Sequence, residues 1–137
     1  EGIDGDRRHH YPQVVSIAMG DADGFKAIND TRGHLAGDEA IVEMANALAQ
    51  EMRDADIMAR RSGDEFIFCW PGLNLGQAEE KVRELQSKLE AVGYKMSFGL
   101  IEVHTHEIGD DVWVQVHEVI DRADQILIGK KQRSGLR

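Results

Sequence analysis

The chain predicts an α/β (α+β) fold, a mixed sheet covered by helices, and three observations lead there. Apolar runs rich in aromatic and β-branched residues alternate with segments whose apolar residues recur at three- and four-residue steps. Two of the strand-like runs are joined by a few residues containing Ser62-Gly63-Asp64, which reads as a β-hairpin. The resulting order is β-α-α-β-β-α-β-α. At 137 residues, 42% of them hydrophobic, this is one domain over 13–137, large enough for a real core.

The elements follow in order. Residues 1–12 are polar, carry His9-His10 and show no periodicity, so a tail or linker is expected there rather than a metal site. The run 14–19 is nearly all apolar and ends in Gly20-Asp21-Ala22-Asp23, the pattern of a strand buried on both faces. Asp23 is placed to cap a short helix through about Asn29, with Arg32-Gly33 closing it. A longer helix over about 36–51 turns Ile41, Met44, Ala45, Leu48 and Met52 to one side. The hairpin pairs 57–59 with 66–70, and Pro71-Gly72 ends it. Residues 75–91 form an amphipathic helix with Ala78, Val82, Leu85 and Leu89 inward, stopped by Val92-Gly93. A strand over 94–103, a polar loop over 104–111 and a last helix over about 114–131 complete the chain. The last helix turns Val116, Val119, Ile120, Ala123 and Leu127 inward.

Composition excludes several classes. No apolar run approaches the ~20 residues that span a bilayer, and no signal peptide is visible. Cys69 is the single cysteine, so a disulfide framework is impossible and a cytoplasmic location is expected. In a core strand that thiol reads as a small buried hydrophobe more readily than as a nucleophile. The formal net charge of -9 argues against binding long nucleic acid, which wants a basic patch. It leaves nucleotides open, because a metal can supply positive charge locally.

The chemistry-bearing residues gather at two strand ends. The hairpin tip holds adjacent carboxylates, Asp64 and Glu65, which strand alternation sends to opposite faces and so to different jobs. Taken alone, the tip is equally well a polar turn. Asp21 supplies a second acidic strand end. If Asp21 and Asp64 meet, they offer oxygen ligands to a hard divalent cation, and Mg²⁺ is typically held by one or two carboxylates plus substrate phosphates.

Asp21-Ala22-Asp23-Gly24-Phe25-Lys26-Ala27-Ile28-Asn29-Asp30, followed by Gly33-His34 and Gly37-Asp38, resembles the D-x-D-x-F-K-x-x-N-D…G-H-x-x-G-D signature of GGDEF-domain diguanylate cyclases. Ser62-Gly63-Asp64-Glu65-Phe66 is similar to the motif that names the family, with Ser for its first Gly. Met96-Ser97-Phe98-Gly99 resembles the later S-x-G strand, and Ala123-Asp124 through Lys131 the A-D-x-A-L-Y-x-A-K helix. The likeness runs from about Val14 to Lys131. It implies a largely antiparallel sheet of the polymerase-palm kind, with the hairpin tip beside the end of the first strand.

The resemblance also implies roles. Asp21, Asp64 and the backbone carbonyl of Ala22 would hold Mg²⁺ or Mn²⁺, and Asp64 and Glu65 would be catalytic, Glu65 as ligand or as base. Phe25, Lys26, Asn29, Asp38, Gly63 and Lys131 would bind GTP. The physics agrees for Asp38 and Asn29: a carboxylate accepts from guanine N1–H and its amine, and an amide offers matching atoms. Gly63 would let the backbone approach the nucleotide. Lys26 and Lys131 are the phosphate candidates, and His34 reads as structural. Arg53 and Asp56 match an R-x-x-D inhibitory site for cyclic di-GMP; such a pair is otherwise a surface ion pair worth ~0–1 kcal/mol. Two GTP molecules must face each other, so a transient homodimer is implied, as is an attached or partner sensory domain.

Three departures stand out: Ser62, Gly135 where the family commonly has a phosphate-binding Arg, and no D-x-L-T-G-L-x-N-R segment before the first strand. The readings are therefore a diguanylate cyclase, a degenerate module binding GTP or cyclic di-GMP without turnover, and a related nucleotide cyclase or minimal polymerase. The intact Asp21, Asp64 and Glu65 favour the first.

Overall fold

The apolar run near the N-terminus becomes the middle of a sheet, which is why it needs no polar face. The computed structural model describes residues 13–105 and 112–134. Its elements are β1 (Val14–Ala22), α1 (Phe25–Arg32), α2 (His34–Ala49), β2 (Ile57–Ser62), β3 (Glu65–Pro71), α3 (Leu75–Ala91), β4 (Met96–His104) and α4 (Val112–Ser134). The expected order is found. The expected largely antiparallel sheet is antiparallel in every described pairing, with strand order β2-β3-β1-β4.

Alternation along β3 sorts its residues between two cores. Phe66, Phe68 and Trp70 point to one face and are buried there with Met44 and Leu48 of α2 and Val82, Leu85 and Leu89 of α3. The Phe68 ring lies 5.4 Å from Trp70 and 5.7 Å from Phe98, centroid to centroid. Each such ring contributes about 1.5–3 kcal/mol by burial, and each pairing ~0.5–1.5 kcal/mol more. On the opposite face Ile67 joins Met19, Ile101 and the α4 residues Ala123 and Leu127. Helix α4 lies hard against β4: a methyl group on Gly99 would collide with the Ala123 carbonyl and with Leu127.

Helix α3 begins where its sequence says it should. The Asn74 side chain accepts from the Gln77 N–H at 2.9 Å, and the Gln77 side chain accepts from the Asn74 N–H at 2.9 Å. This reciprocal cap is worth about 1 kcal/mol. At α1 the expectation fails. Gly24, at φ 74, occupies the position before the helix, and no side chain caps it. Asp23 is drawn away instead, its N–H to the Lys95 carbonyl at 2.9 Å and its carboxylate to Ser97. Gly33, at φ 88, closes α1 as expected. Helix α4 is longer than its apolar stripe indicated, and Tyr94 precedes β4, donating a hydrogen bond to Glu43. The expected N-terminal tail (1–12) and most of the polar loop (106–111) lie outside the described residues. Among those described, no helix is long and apolar enough to cross a membrane.

Candidate active site

Strand register assembles the site. At the end of β1, Asp21 is paired with Glu65 of β3 on one side and with Ser97 of β4 on the other. The hairpin tip is tied to the same level, because the Ala22 N–H donates to the Asp64 carbonyl at 3.1 Å. Gly63 makes the turn at φ 45, the positive angle that favours glycine. Three segments far apart in sequence thus deliver Asp21, Asp23, Asp64, Glu65 and Ser97 to one end of the sheet.

The Asp21 and Asp64 carboxyl groups are within hydrogen-bonding reach of each other. Burial, that hydrogen bond and the Asp21 charge together push the Asp64 carboxyl up to about 6. Asp64, at the hairpin tip, is half-buried rather than exposed, because the Ala22 tie folds the turn down onto β1. Lys131 reaches in from α4. Its Nζ lies 3.1 Å from Asp21 Oδ2 and 3.2 Å from Asp23 Oδ1, and its side chain is 6% exposed. Ser97 Oγ donates to the Asp23 carboxylate, 2.9 Å from Oδ1 and 3.0 Å from Oδ2.

This donor set fits a hard divalent cation. Two carboxyl groups lie together where a cation would relieve their repulsion, and the anionic side chains there offer oxygen atoms only. Among the described residues no cluster of three or more His, Cys, Asp or Glu side chains could hold a metal by itself. The remaining ligands would come from main chain, water or a nucleotide, the usual situation for Mg²⁺.

Glu65 and Ser62 interact, Ser62 Oγ donating to Glu65 Oε1 at 3.2 Å. No non-glycine residue described has positive φ, so Ser62 carries no backbone strain. The base-reading candidates form a separate group on α1 and α2. Asn29 and the Phe25 ring close around Gly37, where a methyl group would strike the Asn29 amide. Asp38, next in sequence, is exposed. Lys26 is not brought to the acidic cluster; its side chain is 89% exposed and pairs with Asp30 at 2.7 Å.

Arg53 and Asp56 do meet, but not as a surface pair. Asp56 Oδ1 accepts from Arg53 Nη2 at 2.6 Å and from Nε at 3.0 Å, and Oδ2 accepts from the Arg53 N–H at 2.8 Å. Lys81 Nζ stands 3.3 Å from Asp56 Oδ2, and the Asp56 side chain is fully buried. Burial works against its ionisation, yet Arg53 and Lys81 outweigh burial and hold the carboxyl below its usual range. Cys69 is half-buried with its thiol pushed up by burial, the setting of an inert thiol.

Sequence reasoning missed Asp23, read as a cap, and gave no role to Ser97 or Lys81. Lys81 had no local signal.

A four-stranded antiparallel sheet, helices on both faces, and carboxylates gathered where a hairpin tip meets the central strand define a palm-like domain. The family described as diguanylate cyclase, GGDEF domain, matches residues 4–136, and the chain belongs to that family. It is 31% identical over 135 residues to diguanylate cyclase DgcP of Pseudomonas aeruginosa, covering 92% of this chain and 19% of that protein. Diguanylate cyclase SiaD of P. aeruginosa, solved in complex with its activator SiaC, superposes with a TM-score of 0.76 at 33% identity, over 96% of this chain and 50% of that one. The GGDEF domain of DgcB from Caulobacter crescentus, solved with c-di-GMP, shares the fold with a TM-score of 0.76 at 24% identity, over 97% of this chain and 79% of that one. The chain thus spans about a fifth of DgcP and half of SiaD.

Proposed function

We propose that this domain is a diguanylate cyclase, condensing two GTP molecules into cyclic di-GMP with release of pyrophosphate. In each half-reaction a ribose 3′-hydroxyl attacks the α-phosphate of the other nucleotide, the P–O bond to pyrophosphate breaks, and the hydroxyl proton passes to Glu65 or to water. Such transfer is mostly positioning and charge neutralisation. The observation that carries the reading is the contact between the Asp21 and Asp64 carboxyl groups beside a buried lysine. Asp21, Asp64 and the Ala22 carbonyl would hold Mg²⁺ or Mn²⁺, which when bound neutralises the α-phosphate and acidifies the attacking hydroxyl. Glu65 stands at the adjacent register position as ligand or base.

Asn29 and Asp38 would read guanine, with Phe25 walling the group, and Gly63 would let the backbone come close to the nucleotide. Lys131 is the better-placed phosphate cation, since Lys26 would first have to leave Asp30. Turnover would need two domains face to face, so the rate per chain should rise with protein concentration. A cytoplasmic setting and control by an attached or partner sensory domain complete the proposal. At the inhibitory site Asp56 is fully engaged, and Arg53 spends Nε on Asp56 and Nη2 on Asp56 and the Pro71 carbonyl, so Nη1 of this half-exposed side chain is what it could turn to product.

The receptor reading draws on one observation, the Ser62 hydroxyl holding Glu65. Incubation with GTP and Mg²⁺ or Mn²⁺, followed by chromatography for cyclic di-GMP, separates the two. Product formation that Asp64→Asn removes supports the cyclase. Intact GTP at high protein concentration, in a protein that still binds GTP or cyclic di-GMP, establishes the receptor.

A further inference from the structure

Lys131 is an unusual buried lysine, because its partners are the carboxylates read above as the metal site. An ammonium is withdrawn from water only when it is paired, and here the pairing is divided. Asp21 is shared between Lys131 and Asp64. Asp23 takes no part in the contact with Asp64 and is fixed from behind, by Ser97 Oγ on both of its oxygens and by its own N–H on the Lys95 carbonyl. One side of the lysine therefore rests on a carboxylate that a cation would claim. The other rests on a carboxylate anchored to β4.

Resting on the metal-dependent reading above, we propose that Lys131 is a built-in cation that competes with the divalent metal for Asp21. Asp23, held by Ser97, is then the positioning residue that keeps the ammonium at the site after the exchange. The lysine stem is flexible enough for the small movement this needs. Without metal, Lys131 moderates the repulsion among Asp21, Asp23 and Asp64. With metal, the same ammonium stands beside it on Asp23, placed for a phosphate oxygen, so one side chain serves both states.

The test is Mn²⁺ binding to the nucleotide-free chain, followed by the EPR signal of free Mn²⁺. Lys131→Met removes the competitor and should tighten binding roughly tenfold, within the usual range for coupling between two ligands of one site. Asp23→Asn takes one of the two paired carboxylates from the lysine, turning it further onto Asp21, and should weaken binding several-fold. That weakening should vanish when Asp23→Asn is combined with Lys131→Met. Equal or weaker binding in Lys131→Met overturns the competition. A loss from Asp23→Asn that persists in the double variant means that Asp23 attracts the metal directly, and overturns its positioning role. Wild-type Mn²⁺ binding that Asp64→Asn leaves unchanged overturns the metal reading itself. Should Lys131→Met not fold, NMR of ¹³Cε-labelled lysine in the wild type decides: the Lys131 signal should move with Mg²⁺ at the midpoint of metal binding, and a stationary signal overturns the proposal.

Discussion

Two regions of this molecule bury aspartate beside lysine, and they do it to opposite ends. At Asp56 one carboxylate faces two cations, Arg53 and Lys81, and both of its oxygens are engaged. Lys81 is committed further, donating to the Glu51 carbonyl at 2.8 Å and lying 5.7 Å from the centre of the Trp70 ring. At the end of β1 three carboxylates, Asp21, Asp23 and Asp64, share one ammonium, Lys131. The first is a joint with cation to spare, tying the segment before β2 to α3. The second lacks positive charge, and that shortage is what a cation or a phosphate-bound metal would meet. Burial of a charged pair alone therefore says little about function; the balance of charge around it says more.

The comparison is most exposed to failure at Asp64. With Asp64 holding the metal as proposed, Asp64→Asn should lower turnover about a thousandfold, ~4 kcal/mol. The metal-free fold should remain at least as stable, since a repulsive contact has been relieved. Steady-state rates and urea unfolding on the same preparation check both halves, and a destabilised but active variant would reverse the assignment of the two regions.

The opposite outcome is expected at Asp56. Asp56→Ala leaves Arg53 and Lys81 without their shared anion and should destabilise the domain by about 3 kcal/mol, with turnover in the remaining folded protein little changed. Urea midpoints compared at constant m-value measure it. A change below about 1 kcal/mol would show the network to be as weak as a surface pair.

Acidity sharpens the contrast because the two regions respond with opposite sign. The Asp64 carboxyl, pushed from 3.8 to about 6, binds its proton more readily in the folded chain. Its contribution is therefore complete below about 4 and lost as pH rises through about 6. The Asp56 carboxyl is held below 3.8, so its contribution is present above that value and lost as pH falls through the folded one. The thermal midpoint of the metal-free protein should carry an Asp64 contribution that rises between pH 7 and pH 5. Calorimetry of Asp64→Asn should show that contribution missing; an identical pH profile in both proteins would remove the basis for the claim.

The smallest effect belongs to Ser62. Positive φ falls on Gly63, so serine adds no strain, and what remains is its hydroxyl on Glu65. Ser62→Gly frees that carboxylate and should raise turnover about threefold, the scale of one weak exposed hydrogen bond. A decrease, measured with GTP and metal saturating, would mean that the hydroxyl assists Glu65.

Much of this was legible from local rules. The stripe Ala78, Val82, Leu85, Leu89 and the stop at Val92-Gly93 marked α3, and Ser62-Gly63-Asp64 marked the hairpin, whereas the Asn74–Gln77 cap went unread. The meeting of Asp21 with Asp64 followed from the family likeness, because pairing between distant strands leaves no trace in either strand alone. Asp23 was misread for the same reason: a carboxylate before a helix resembles a cap until Ser97 and Lys131 arrive from elsewhere. The depth of the Arg53–Asp56 pair depends on Lys81, one helix away, and nothing in R-x-x-D announces it.

Gly99 has a consequence for how an incoming signal could be read. Because it carries no side chain, the α4 backbone rests directly on β4 at Ala123 and Leu127. Lys131 lies one further step of four residues along the same stripe, so the sheet works as a datum from which the lysine is gauged. A slide of α4 by one residue, about 1.5 Å with a turn of about 100°, would carry the ammonium off its two aspartates altogether. The seat of α4 on Gly99 and the reach of the ammonium are thus one dimension: whatever holds the helix down on the sheet also holds Lys131 at Asp21 and Asp23.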